Sequence, residues 1–96
     1  MTDCDKLILT TLKDKGPMTS TQLGMEMAAR GYNGDTGCNA ISVKLIGLAN
    51  KNFVLSDRET QDEFTGRMVK VWRLTGFTEA SFLELVQRDF VAGVEG

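Results

Sequence analysis

The 96-residue sequence is 42% hydrophobic and 25% charged, with a formal net charge of −2. That balance fits one folded domain with a single modest core and excludes a disordered or fibrous chain. No apolar run approaches the roughly 20 residues that a membrane-spanning helix needs, so no membrane partner is expected. The opening Met1-Thr2-Asp3-Cys4-Asp5 lacks the basic segment of a signal peptide, which predicts a cytoplasmic address.

Catalytic readings find little to build on. Histidine is absent, which removes the commonest general base. Cys4 and Cys38 stand far apart without a CxxC spacing, so they read as small thiols in a reducing compartment rather than zinc ligands. No GxGxxG, Walker or HExxH pattern occurs. Asp62-Glu63 reads as a solvated pair on a loop tip. A non-enzyme without metal or cofactor is expected.

Charge is unevenly spread. Residues 1–34 carry as many acids as bases, and residues 35–77 carry one more base than acid. Residues 78–96 hold Arg88 against Glu79, Glu84, Asp89 and Glu95. Any nucleic-acid footprint is therefore local.

The first helix is capped by Thr2 or Asp3 and runs to about Lys15, with Cys4, Ile8 and Leu12 at the centre of its apolar stripe and Leu7 and Leu9 on the flanks. Gly16 and Pro17 end it. Pro17-Met18 allows only a short extended piece. Thr19-Ser20-Thr21-Gln22 is a capping box, and Met18 with Leu23 is a hydrophobic staple. This second helix turns Leu23 and Met27 inward. Gly31 closes it in the left-handed conformation, with Tyr32 over Met27.

Tyr32-Asn33-Gly34 reads as a turn, and Asp35 or Asn33 as the cap of a third helix to about Lys51. Ile41, Leu45 and Leu48 form its inward face, and Asn52 takes the left-handed closing position beneath Phe53. Residues 53–55 and 68–74 read as strands joined by a long polar tip over about 57–66. Alternation puts Met68, Lys70, Trp72 and Leu74 on one face and Arg67, Val69, Val71 and Arg73 on the other, with Trp72 and Leu74 inward. A last helix begins at Thr78, with Phe77 and Phe82 as its staple, a stripe of Phe82, Leu83, Val86 and Phe90, and Gly93 at its end.

Helix, short strand, helix, turn, helix and hairpin follow one another in an order that resembles the winged helix-turn-helix family. The residues carrying the resemblance are 16–23 (Gly16-Pro17-Met18-Thr19-Ser20-Thr21-Gln22-Leu23), Ile41, Leu45 and Leu48 leading to Asn52-Phe53-Val54, and Lys70-Val71-Trp72-Arg73-Leu74-Thr75. It covers about residues 4–75. The resemblance implies an α+β fold with a three-helix core and a two- to three-stranded antiparallel wing over residues 1–77. Residues 78–96 add a helix packed on the core or used for dimerisation. It also implies a small DNA-binding transcriptional regulator that is dimeric and reads the major groove with its third helix. The base-facing candidates so implied are Thr36, Asn39, Ala40, Val43, Lys44 and Gly47; the phosphate candidates are Ser20, Thr21, Lys51, Arg58 and Arg67.

At 100° per residue, the face of the third helix opposite Ile41, Leu45 and Leu48 is Asn39, Ala40, Val43, Ile46, Gly47 and Asn50, with Lys44 toward the flank. It carries no arginine. Asn39 can read adenine and Val43 can meet a thymine methyl, but nothing is poised for guanine. Asn39 and Lys44 equally fit a solvated face. Val43 and Ile46 fit burial under the last helix, a DNA contact, or a dimer or partner surface, and Val69 and Val71 extend that last reading along the wing. Arg58, Arg67, Lys70 and Arg73 fit either a phosphate clamp or ordinary solubilising charges, while Glu59, Asp62 and Glu63 repel phosphate. Phe82, Val86 and Phe90 fit packing on Leu7 or Leu9, or a self-association seam. The alternative function is a winged-helix protein-interaction module, an adaptor or inhibitor of a nucleic-acid machine, that does not bind DNA.

Overall fold

The computed structural model describes residues 2–84, apart from the side chain of Cys38. Helix α1 spans Asp3–Lys15. Thr2 caps it through a capping box in which Asp5 donates its amide to the Thr2 hydroxyl and its carboxylate accepts from the Thr2 amide. Gly16, at φ +84°, turns the chain out of α1 while its amide donates to the Leu12 carbonyl. Strand β1 is only Met18–Thr19. Helix α2, Ser20–Ala29, starts with the expected Thr19–Gln22 capping box, at 3.2 and 3.0 Å. It closes as a Schellman turn: the Tyr32 amide donates to Met27, the Gly31 amide to Ala28, and Gly31 sits at φ +90°.

Helix α3 spans Cys38–Asn50 and begins later than the sequence predicts. Asp35 does not cap it; its carboxylate accepts from the Gly37 amide, and Gly37 is the N-cap without a side-chain bond. The chain first crosses α2 so closely that a Cβ on Gly24 would lie 2.4 Å from the Thr36 carbonyl oxygen. Only after that crossing does it turn into α3. The far end matches expectation: Asn52 adopts φ 65°, and the Phe53 amide returns to Leu48.

Strand β2, Val54–Gln61, and strand β3, Met68–Leu74, pair antiparallel, and β1 joins the other edge of β3 to give the order β1-β3-β2. The hairpin is longer than its hydrophobicity suggests. Residues 57–61 are strand rather than loop, because the backbone ladder to β3 supports a polar edge strand without apolar side chains of its own. Leu55 pairs with Arg73 and Arg58 with Val71, so β2 holds one extra residue as a bulge. Arg73 grips Asp57 across it at 3.0 Å.

The core collects Ile8, Leu9 and Leu12 of α1, Leu23 and Met27 of α2, Ile41, Leu45 and Leu48 of α3, and Val54, Trp72 and Leu74 of the sheet. Thr11, buried in α1, donates its hydroxyl to the Leu7 carbonyl, so no polar atom there is left bare.

Helix α4, Gly76–Phe82, starts two residues before the predicted Thr78, with Thr75 as N-cap. The Thr75 hydroxyl accepts from the Thr78 amide and donates to the Asn52 carbonyl; the Thr78 hydroxyl donates to the Phe53 carbonyl at 2.6 Å. This knot ties α4 to the α3–β2 junction. Phe77 accordingly stacks on Phe53, with ring centroids 6.2 Å apart, in place of the predicted staple. Phe82 packs on the core, and the Lys13 ammonium of α1 lies over its ring. Among the described residues no helix is long and apolar enough to cross a membrane.

Candidate nucleic-acid interface

With Ile41, Leu45 and Leu48 fixed in the core, the helical period turns the other side of α3 outward. Asn39, Val43, Lys44, Ile46, Gly47 and Asn50 are all exposed, and Ala40 is half-buried. Val43 is 68% and Ile46 52% exposed, so α4 does not cover them, and burial beneath the last helix is ruled out for the described residues. Thr36 falls in the loop before α3, half-buried, with its carbonyl against Gly24. It is therefore not a helical reading position.

The cations sort by location. Arg30 bridges Asp14 of α1 and Glu26 of α2, and Lys15 reaches Glu26 as well. The paired carboxylates, Asp14 first, push the Arg30 pKa up. At the wing base Arg73 holds the Asp57 carboxyl below its usual pKa. Lys70 lies over the Trp72 ring. Lys44 on α3, Lys51 at its C-cap, and Arg58 and Arg67 on the wing are exposed and form no ion pair among the described residues.

The start of α2 differs from expectation. The Ser20 side chain is buried, so it is not offered to a phosphate. Thr21 donates its hydroxyl to the Asp62 carboxylate at 3.3 Å. Asp62, expected to be solvated, is only 8% exposed; its other carboxylate oxygen accepts from the Phe64 amide at 2.9 Å. Its backbone closes the wing turn, the amide donating to Arg67 and the carbonyl accepting from Gly66. Glu63 is exposed, as expected.

The apolar wing residues also divide. Val69 is half-buried and Met68 exposed. Val71, placed on an outer face by alternation, is only 5% exposed. It sits on the central strand between Thr19 and Arg58, and with Pro17 and Gln22 it lines a depression on the sheet face away from the core. Val71 thus offers no free surface. Leu83 is 63% exposed, and Phe82 is turned to the core. Val86, Phe90 and the predicted stop at Gly93 lie outside the described residues.

Sequence reasoning missed Gly24, Asp62 and the Thr75–Thr78 knot. A glycine in the middle of a capped helix is the one usable signal, since it marks close backbone approach. Nothing local distinguishes Asp62 from its acidic neighbours.

A helix pair α2–α3, closed by a three-stranded antiparallel sheet whose β2–β3 hairpin projects as a wing, is the winged helix-turn-helix fold. Solved structures share it, among them the following two. One is TA0346 of Thermoplasma acidophilum, assigned as a transcriptional regulator: 22% identity, TM-score 0.68, 93% of this chain and 82% of that one. The other is the PcaV transcriptional regulator of Streptomyces coelicolor, determined with its natural ligand: 14% identity, TM-score 0.55, 99% of this chain and 72% of that one. No protein-family model matches the sequence, and no curated protein does.

Proposed function

We propose that this chain is a cytoplasmic, dimeric DNA-binding transcriptional regulator that lays α3 in the major groove and its wing on the phosphate backbone. The observation that carries this reading is the set of four exposed cations, Lys44 of α3, Lys51 at its C-cap, and Arg58 and Arg67 of the wing, without ion-pair partners among the described residues. Arg30 and Lys15, at the ends of α2 and α1, are both paired. Exposed cations not held in ion pairs are the groups that displace counterions from DNA. Asn39, Val43 and Gly47 supply the face for base edges: an amide for adenine, a branched side chain for the thymine methyl, and a gap for close approach. Nothing in this role calls for a catalytic group or a metal.

Val43 and Ile46 support a second reading. Two exposed branched side chains one turn apart suit a protein partner, and burying each contributes roughly 1.5–3 kcal/mol. In that reading the chain is an adaptor or an inhibitor of a nucleic-acid machine.

One experiment separates the two. A pool of random duplexes is offered at low salt to the wild type and to Val43→Asp, with oligomeric state followed by light scattering. The regulator reading expects duplex retention by the wild type and its loss in the variant. No retention at low salt, together with a complex or oligomer that Val43→Asp dissolves, contradicts it and favours the module.

A further inference from the structure

Asp62 stands apart on the wing. It is the one buried residue in the stretch 57–68; every neighbour in that run is exposed. Burying a carboxylate without partners is costly, and this one keeps two: the Thr21 hydroxyl, 41 positions away in sequence, and the Phe64 amide beside it. The 62–66 and 62–67 backbone bonds make the tip a closed turn. Among the described residues, the tip's side-chain hydrogen bond to the body of the molecule is Asp62 on Thr21. Around it Thr19, Gln22, Thr60, Gln61, Glu63 and Phe64 line a small depression of mixed polar and apolar character.

The contact falls where a phosphate would approach the start of α2. A carboxylate there enjoys the partial positive charge of the helix end and consumes the Thr21 hydroxyl proton. It also repels a second anion at the same place.

We propose that Asp62 is an autoinhibitory lock: bound to Thr21 it holds the wing tip down over the start of α2 and closes that position to DNA phosphate, and duplex binding requires the tip to lift. The inhibitory role rests on the DNA-binding reading above; the lock itself does not. The lock is reversible, because Glu63, Phe64, Thr65, Gly66 and Arg67 are already exposed and lose little packing when the tip moves.

The test uses the full chain in four forms: wild type, Thr21→Val, Asp62→Ala and Glu59→Ala. Glu59→Ala removes an exposed wing charge without touching the lock. Tryptic cleavage after Arg67 in the folded protein reports tip release, and thermal melting confirms that each variant is folded. A lock predicts faster cleavage in Thr21→Val and Asp62→Ala but not in Glu59→Ala. It further predicts that Asp62→Ala gains roughly three- to tenfold more duplex affinity than Glu59→Ala; Thr21→Val, which also deletes the hydroxyl a phosphate would meet, reports tip release only. Unchanged cleavage in both lock variants overturns the lock. Faster cleavage with equal affinity gains in Asp62→Ala and Glu59→Ala overturns the inhibition and leaves only a charge effect. Faster cleavage with no duplex bound by any form refutes the DNA-binding reading and the inhibition together, while the lock stands.

Discussion

The α1–α2 half of the molecule and the α3–wing half are built on different terms. Both helices of the first half start with a reciprocal capping box, and both stop at a glycine with positive φ. Their charges are knitted together by Asp14, Lys15, Glu26 and Arg30. Helix α3 begins at a glycine without a side-chain cap, shows Val43 and Ile46 to solvent, and carries Lys44, with Lys51 at its C-cap, in no ion pair among the described residues. The scaffold pairs Lys15 and Arg30 internally; the other half pairs Arg73 with Asp57 but leaves Lys44, Lys51, Arg58 and Arg67 without an ion pair among the described residues. Surface ion pairs contribute only about 0–1 kcal/mol each, so the contrast concerns availability rather than stability.

The sharpest way to probe the contrast lies within α3 itself. Leu45 is fully buried, and Leu45→Ala is expected to destabilise the fold by about 2–5 kcal/mol in thermal or denaturant unfolding. Val43→Ala, two residues away on the exposed face, is expected to stay within about 0.5 kcal/mol. A comparable loss in both would mean that the outer face of α3 is buried in solution.

Next in size is Gly24→Ala. The added methyl meets the Thr36 carbonyl, a backbone atom that cannot swing aside, and an overpacking cost of about 1–3 kcal/mol follows. A neutral result would show that the loop before α3 does not rest on α2. Thr19→Ala removes the α2 cap and is expected to cost about 1 kcal/mol, measured by urea unfolding.

The smallest effect concerns the wing base. Arg73 lowers the Asp57 pKa, so the folded state holds that proton less tightly than the unfolded chain. The stabilisation is complete above the ordinary carboxylate range and fades as pH falls through the lowered value. Arg73→Ala should move the Asp57 carboxyl back up in an NMR titration. An unmoved titration would show that the ion pair does not form in solution.

Much of this architecture was legible because its signals are local. Thr19 and Gln22, Gly31 and Asn52 each act within one helical turn, so chain order alone reveals them. The same holds for the Ile41, Leu45 and Leu48 stripe, whose spacing fixes which side faces in. The parts that were not legible depend on distant partners. The start of α3 is set by Gly24 meeting Thr36 across two elements, and β2 runs on through polar residues because β3 supplies the ladder. Val71 is covered because a third strand flanks β3, which two-strand alternation cannot anticipate. Asp62 is buried by a hydroxyl 41 positions away. The exposed side of α3 was readable as a set of residues, while its freedom from α4 required the position of α4.

The central claim is that the unpaired cations of α3 and the wing form a phosphate-binding face and the paired cations of α1–α2 do not. Duplex affinity measured between about 50 and 200 mM salt for wild type, Arg67→Ala and Arg30→Ala tests it directly. The account predicts that Arg67→Ala lowers the slope of log K against log salt by about one unit, while Arg30→Ala leaves the slope unchanged. Equal slopes for all three proteins, or a loss confined to Arg30→Ala, would contradict it.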